Sequence, residues 1–215
     1  MFKVFNKKVG NEMLEVNQIT SIKDIDFNTL KHSYHAYLEN ELYQVDSNGV
    51  DMNTAYFQSV YNKAIAIFDE IFDLKDHIKM IHSISTNLVM PRRTRFSKKF
   101  LSKKVVSSYK YEQIIGYNDI FEIANVFTYQ CKKGDIKYQK LIKAICNQDF
   151  PSLIPNMNQG ETYSSIYFIN VDKGILFHLY DDRGFIVAFS HTDDFEAFKQ
   201  NHDELEFQVY TEDEI

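Results

Sequence analysis

The sequence predicts an α+β fold in which an antiparallel C-terminal meander packs against two main helices. Residues 166–189 read IYFINVDKGILFHLYDDRGFIVAF. Their apolar runs, rich in Ile, Val, Phe and Tyr, are separated by Val171-Asp172-Lys173-Gly174 and Asp181-Asp182-Arg183-Gly184, which reads as a meander closed by two turns. Residues 53–72 place Phe57, Val60, Tyr61, Ala64, Ile65, Phe68, Ile71 and Phe72 at steps of three and four, the stripe of a half-buried helix. That stripe needs a sheet or second helix to cover it, because propensity alone is marginal at this length. With 215 residues, 3 Pro and 7 Gly, the chain reads as one domain over 1–215 with little linker.

In chain order, residues 1–16 alternate weakly and read as a short strand or extended arm. Residues 33–44 fit either a helix or a strand with aromatics on both faces. Asp46-Ser47-Asn48-Gly49 is a turn. Asn53 or Thr54 caps the long helix, and Asp69, Glu70 and Asp73 read as its solvated C-terminal end, against the helix dipole. Residues 76–88 read as a central strand ended by Pro91. Residues 121–131, FEIANVFTYQC, alternate as a strand, and Lys132-Lys133-Gly134-Asp135 turns the chain into a second helix over 135–147. Thr192-Asp193-Asp194 caps a short last helix, and an acidic end spans 192–215.

Composition excludes several classes. The formal charge of −6 argues against a general nucleic-acid binder. Cys131 and Cys146 make neither a disulfide framework nor a zinc pattern and read as reduced core thiols. The start lacks an apolar signal core, and no window approaches the ~18 apolar residues of a membrane span, so the expected location is the cytoplasm. Phosphate-loop, dinucleotide, serine-hydrolase and HExxH patterns are all missing, so no cofactor and no enzyme activity is expected.

Two stretches concentrate charge. Tyr180-Asp181-Asp182-Arg183-Gly184 gathers two carboxylates and a guanidinium. Folding explains much of it: Asp opens a type I turn, Arg183 can pair with Asp181, and Gly184 would supply a positive φ. A metal-dependent hydrolase using Asp181, Asp182 and His178 is the enzymatic alternative. The other stretch runs from Arg92 to Lys110 with Arg92, Arg93, Arg95, Lys98 and Lys99, and no acidic residue occurs between Asp76 and Glu112. It reads as a phosphate or acidic-partner contact, or as a solvated loop and strand edge guarded by lysines.

Residues 138–150 (YQKLIKAICNQDF), 166–170 (IYFIN) and 177–184 (FHLYDDRG), with the helix 56–64 (YFQSVYNKA), resemble an uncharacterised bacterial domain family of unknown function that is linked to Rhs proteins. The likeness covers residues 30–200. This chain departs from it in having no Trp, an acidic tail and its own insert at 156–160. Rhs proteins carry polymorphic toxin tips, and their small neighbours are commonly immunity proteins. The resemblance therefore implies an antitoxin-like protein that neutralises a cognate toxin, such as a basic nuclease, by protein–protein contact. Tyr180, Asp181, Asp182, Arg183, Asp193 and Asp194 are the expected contact residues, with charge complementarity speeding association.

Overall fold

The computed structural model describes residues 16, 19, 21–27, 30, 32–47, 49–86, 89, 95–103, 105–115, 121–157, 163–202, 205 and 207–208. The expected N-terminal arm thus lies outside the described residues, apart from Val16. In chain order come β1 (Ser33–Tyr37), α1 (Thr54–Ile71), β2 (His77–Thr86), α2 (Arg95–Phe100), β3 (Val106–Ile115), β4 (Phe121–Lys132), α3 (Tyr138–Cys146), β5 (Tyr163–Asn170), β6 (Ile175–Leu179), β7 (Gly184–Phe189), α4 (Thr192–Asn201) and β8 (Phe207–Gln208). The strands form one sheet in the order β3-β4-β2-β5-β6-β7-β1-β8. Every neighbouring pair is antiparallel. The fold is α+β, and the meander supplies the contiguous strands β5, β6 and β7.

Strand alternation sorts the core into two clusters. Met80, Phe127, Phe168, Phe177 and Phe185 join the buried sides of α1 and α3 in the larger one. Ile81, Val126, Ile169, Leu176 and Ala188 face the other way and meet Val16, Ile19 and Leu30 in the smaller one. The meander is therefore covered on both faces, which is why its runs are continuously apolar. The ambiguous segment is a strand at 33–37: Tyr34 and Ala36 point to the helices and His35 alternates with them, while the backbone pairs with β7.

Local chemistry sets the helix ends. The Asn53 side chain accepts from the amides of Ala55 (3.1 Å) and Tyr56 (3.3 Å), capping α1. The C-terminal end of α1 is not simply solvated. Buried Lys133 donates to the Phe72 carbonyl at 2.6 Å and pairs with Asp69 at 2.7 Å. Lys173 pairs with Asp73 at 2.8 Å, and His202 lies 2.8 Å from Glu70. The two lysines, both from outside the helix, thus offset carboxylates at its negative dipole end. The second helix begins three residues later than expected, because 133–135 form a 3₁₀ turn and Ile136 bridges to Leu101. The last helix is preceded by His191 without a side-chain cap. Residues 95–115, read from sequence as loop and edge, contain both α2 and the ten-residue strand β3.

Phe68 is wholly buried at the centre of the helix layer. Its ring meets Phe72 at 4.5 Å, Tyr138 at 5.1 Å, Phe168 at 5.1 Å and Phe177 at 6.1 Å. One side chain thereby joins α1, α3, β5 and β6. Phe68→Ala is expected to remove about 3–5 kcal/mol of stability, read as a lowered urea midpoint.

Candidate functional site

The Tyr180–Gly184 hairpin turn closes β6 onto β7, and its two carboxylates point inward. Asp181 is 3% exposed and Asp182 is 0% exposed. Asp181 Oδ1 accepts the Arg183 amide at 2.8 Å, and Oδ2 accepts from Arg183 Nε at 2.9 Å and from its Nη2. Hydrogen bonding to Asp181 raises the Arg183 guanidinium pKa further above its ordinary value. Asp182 turns beneath the start of α1. Its Oδ2 accepts from Gln44 Nε2 at 2.5 Å and Tyr56 Oη at 2.8 Å, while Oδ1 is buried without a partner. Burial raises the Asp182 pKa above the usual carboxylate value, and Asp181 adds to the effect.

Gly184 does not adopt the expected positive φ; Gly174, in the first meander turn, does, at 65°. Gly184 is required by crowding instead. A Cβ there would collide with the Ala36 carbonyl and the Tyr180 hydroxyl. That hydroxyl lies 2.6 Å from His35 Nε2. His178 faces the same side, between Phe27 (5.8 Å) and Tyr167 (4.3 Å), with Nδ1 2.9 Å from the Ile166 carbonyl. Burial pushes His178 down to about 4 and also lowers His35. Asp181, Asp182 and His178 therefore point to three different places: the turn itself, α1, and the opposite face of the sheet. Among the described residues no group of three or more His, Cys, Asp or Glu side chains is placed to hold a metal.

Two loops are fastened to this turn. Residues 38–53 are held by Gln44, by the Leu38 amide bonding the Arg183 carbonyl at 2.8 Å, and by Glu39. Burial alone would raise the Glu39 pKa; hydrogen bonds from Ser59, Lys63 and the Glu41 amide outweigh it and hold Glu39 at about 2. Residues 147–157 are held by Gln148 on the Tyr180 carbonyl, Tyr61 on Asn147 (2.5 Å) and Phe57 against Phe150 (5.0 Å). Tyr43 is 84%, Val50 78% and Ile154 89% exposed on these loops. Glu41, Asp46, Asp51 and Asp149 are exposed with them, and so is the Arg183 side chain.

Residues 19–205 match the family described as a domain of unknown function, DUF3885. The chain belongs to this family. It is also similar to the Uncharacterized protein YnaE of Bacillus subtilis (strain 168), at 28% identity over 159 residues, covering 70% of this chain and 74% of that protein. No solved structure matches it.

The remaining expected residues of this DUF3885 chain lie elsewhere. Asp193 and Asp194 are exposed on the first turn of α4, at the far end of β7, roughly 17 Å of strand from the turn. Arg92 and Arg93 lie outside the described residues. Arg95 opens α2, Lys98 is exposed, and Lys99 donates to the Asn156 carbonyl at 3.1 Å. Lys110 pairs with Glu112 at 2.6 Å. Both cysteines are buried and unpaired; burial raises Cys131 to about 12 and Cys146 well above its ordinary value. Gln44, Tyr56 and His35 had no signal in the sequence, because each matters only through a partner more than 100 residues away. No described helix is long and apolar enough to cross a membrane.

Asp182→Ala is expected to cost about 1–3 kcal/mol by stranding the Tyr56 hydroxyl and the Gln44 amide. Asp182→Asn, which keeps an acceptor and removes a buried charge, is expected to be near neutral at pH 7 in the same denaturation assay. A pH series tests the histidines. His178 and the buried His82, which burial lowers to about 3, hold fewer protons folded than unfolded. Stability is therefore full above pH 6.5 and falls as pH drops toward 4, by on the order of 3 kcal/mol for each. Asp182 opposes this: its contribution is complete below pH 3.8 and is lost as pH rises through its raised folded value. His178→Phe should flatten the slope between pH 6.5 and 4 in thermal melts.

Proposed function

We propose that this chain is a binding protein of the immunity type, which neutralises a cognate Rhs-type bacterial toxin in the cytoplasm by protein–protein contact and performs no reaction itself. The observation that carries this reading is the exposure of Tyr43, Val50 and Ile154 on two loops anchored to one hairpin. Large apolar side chains held out on fixed loops lose little freedom on binding and serve as anchors. The carboxylates around them, with a formal charge of −6, favour a basic partner and speed encounter with it. Because Asp181 and Asp182 are enclosed, contact at the hairpin falls to Arg183, which Asp181 positions, while Asp182 holds the 38–53 loop through Gln44. Asp193 and Asp194 would meet such a partner only if it reached along β7.

The enzymatic alternative has less support, since Asp181, Asp182 and His178 diverge. The nucleic-acid alternative draws on the basic segment 92–110, but Lys99, whose pKa is lowered by burial and then by the nearby Lys140, is engaged by the Asn156 carbonyl.

The test is co-expression with the toxin that this reading expects to be encoded beside this chain, followed by calorimetry on the purified pair. Binding is expected, with Tyr43→Ala and Ile154→Asp each weakening it about tenfold or more. Failure to bind or neutralise that toxin, or binding indifferent to both substitutions, overturns the reading.

A further inference from the structure

At the far edge of the sheet, β3 pairs with β4 residue for residue, from Val106 opposite Gln130 to Ile115 opposite Phe121. Ten consecutive pairs run without a bulge, and the strand contains neither Pro nor Gly. Its outer edge has no strand partner among the described residues. The opposite edge, among the described residues, is the two-residue β8. Proteins normally blunt such edges with short strands, prolines, bulges or several lysines, because an open row of backbone donors and acceptors templates another strand. Here the lysine-rich segment places one lysine, Lys110, on the strand. Val106 is 69% and Tyr111 61% exposed, and Ser107, Ser108, Lys110 and Gln113 are exposed beside them.

We propose that the outer edge of β3 pairs with β3 of a second copy of this chain, antiparallel and centred on Tyr111. The centre of the strand reads Lys110-Tyr111-Glu112. A two-fold axis at Tyr111 sets Lys110 of each copy opposite Glu112 of the other. An axis at Lys110 or at Glu112 would set like charges face to face, which destabilises an antiparallel pair. Each Lys110 already pairs with its own Glu112, and the Ser21 hydroxyl donates to Glu112 at 2.6 Å. The four charges therefore form an alternating square on one face of the joined sheet, with its acidic corners fixed in advance. On the other face the two Tyr111 rings meet at the axis, flanked by Tyr109 of one copy and Gln113 of the other. Such an interface is isologous and closes at two copies, so it consumes the open edge without building a fibre. It leaves the Tyr43–Ile154 end free, because β4, β2 and β5 separate β3 from the meander turn.

Sedimentation equilibrium of the full chain tests this. Wild type is expected at twice the chain mass. Lys110→Glu and Glu112→Lys should each raise the dimer dissociation constant at least about tenfold by facing like charges twice. The double exchange K110E/E112K restores unlike neighbours in the same register and should return the constant to within about threefold of wild type. Far-UV circular dichroism checks that each variant is folded, and Tyr111→Lys, which leaves the charged face intact, provides a second disrupting variant. A monomeric wild type overturns the proposal. So does a dimer indifferent to the single changes, or one weakened by them but not restored by the double exchange. A monomer that still binds the toxin would reject the dimer and leave the proposed function standing.

Discussion

The meander strands carry apolar side chains on both faces, and the architecture follows from the need to cover them twice. Phe168, Phe177 and Phe185 require the helices, while Ile169, Leu176 and Ala188 require the segment around Val16, Ile19 and Leu30. The helix layer is assembled around Phe68, whose neighbours come from two helices and two strands. Closing that layer buries the carbonyl end of α1, and a buried carbonyl end needs donors. Lys133 and Lys173 supply them, both from segments adjoining strands of the sheet. Apolar coverage and helix capping are thus parts of one solution.

The charged hairpin follows the same logic. A hydrophilic turn ordinarily presents its carboxylates to solvent, but this one sits where α1, α3 and β1 converge. Asp181 folds back onto Arg183, and Asp182 enters the protein to receive Gln44 and Tyr56. The fixed geometry of the two adjoining loops results. What reaches solvent on these loops includes the apolar Tyr43, Val50 and Ile154 and the carboxylates of Glu41, Asp46, Asp51 and Asp149. The opposite edge of the sheet presents backbone and a self-complementary charge pair. The two surfaces lie at different places in the strand order, so occupation of one does not preclude occupation of the other.

Much of the fold was legible in the residues alone. The long helix, the 121–131 strand, the two meander turns and the second helix appear close to where periodicity and turn chemistry put them, because those signals are local. Residues 33–37 stayed ambiguous, since Tyr34, His35 and Tyr37 satisfy both periods until β7 offers its backbone. The strand β3 was hidden by its lysine-rich approach and by its exposure, which removes the alternation that marks a half-buried strand. A turn glycine ordinarily supplies a positive φ, but Gly184 does not. Here the nearby Ala36 carbonyl and Tyr180 hydroxyl exclude a Cβ.

The sequence by itself determined the class of fold, the pairing of the meander strands and the burial of both cysteines, because hydrophobic pattern and turn residues act over a few positions. Only the tertiary structure decided which charges face inward. Asp181 and Asp182 look alike on paper, yet one answers a guanidinium two residues away and the other a tyrosine and a glutamine from 126 and 138 residues earlier. Desolvation and hydrogen bonding depend on which atoms surround a group in three dimensions, and the local sequence does not record those neighbours.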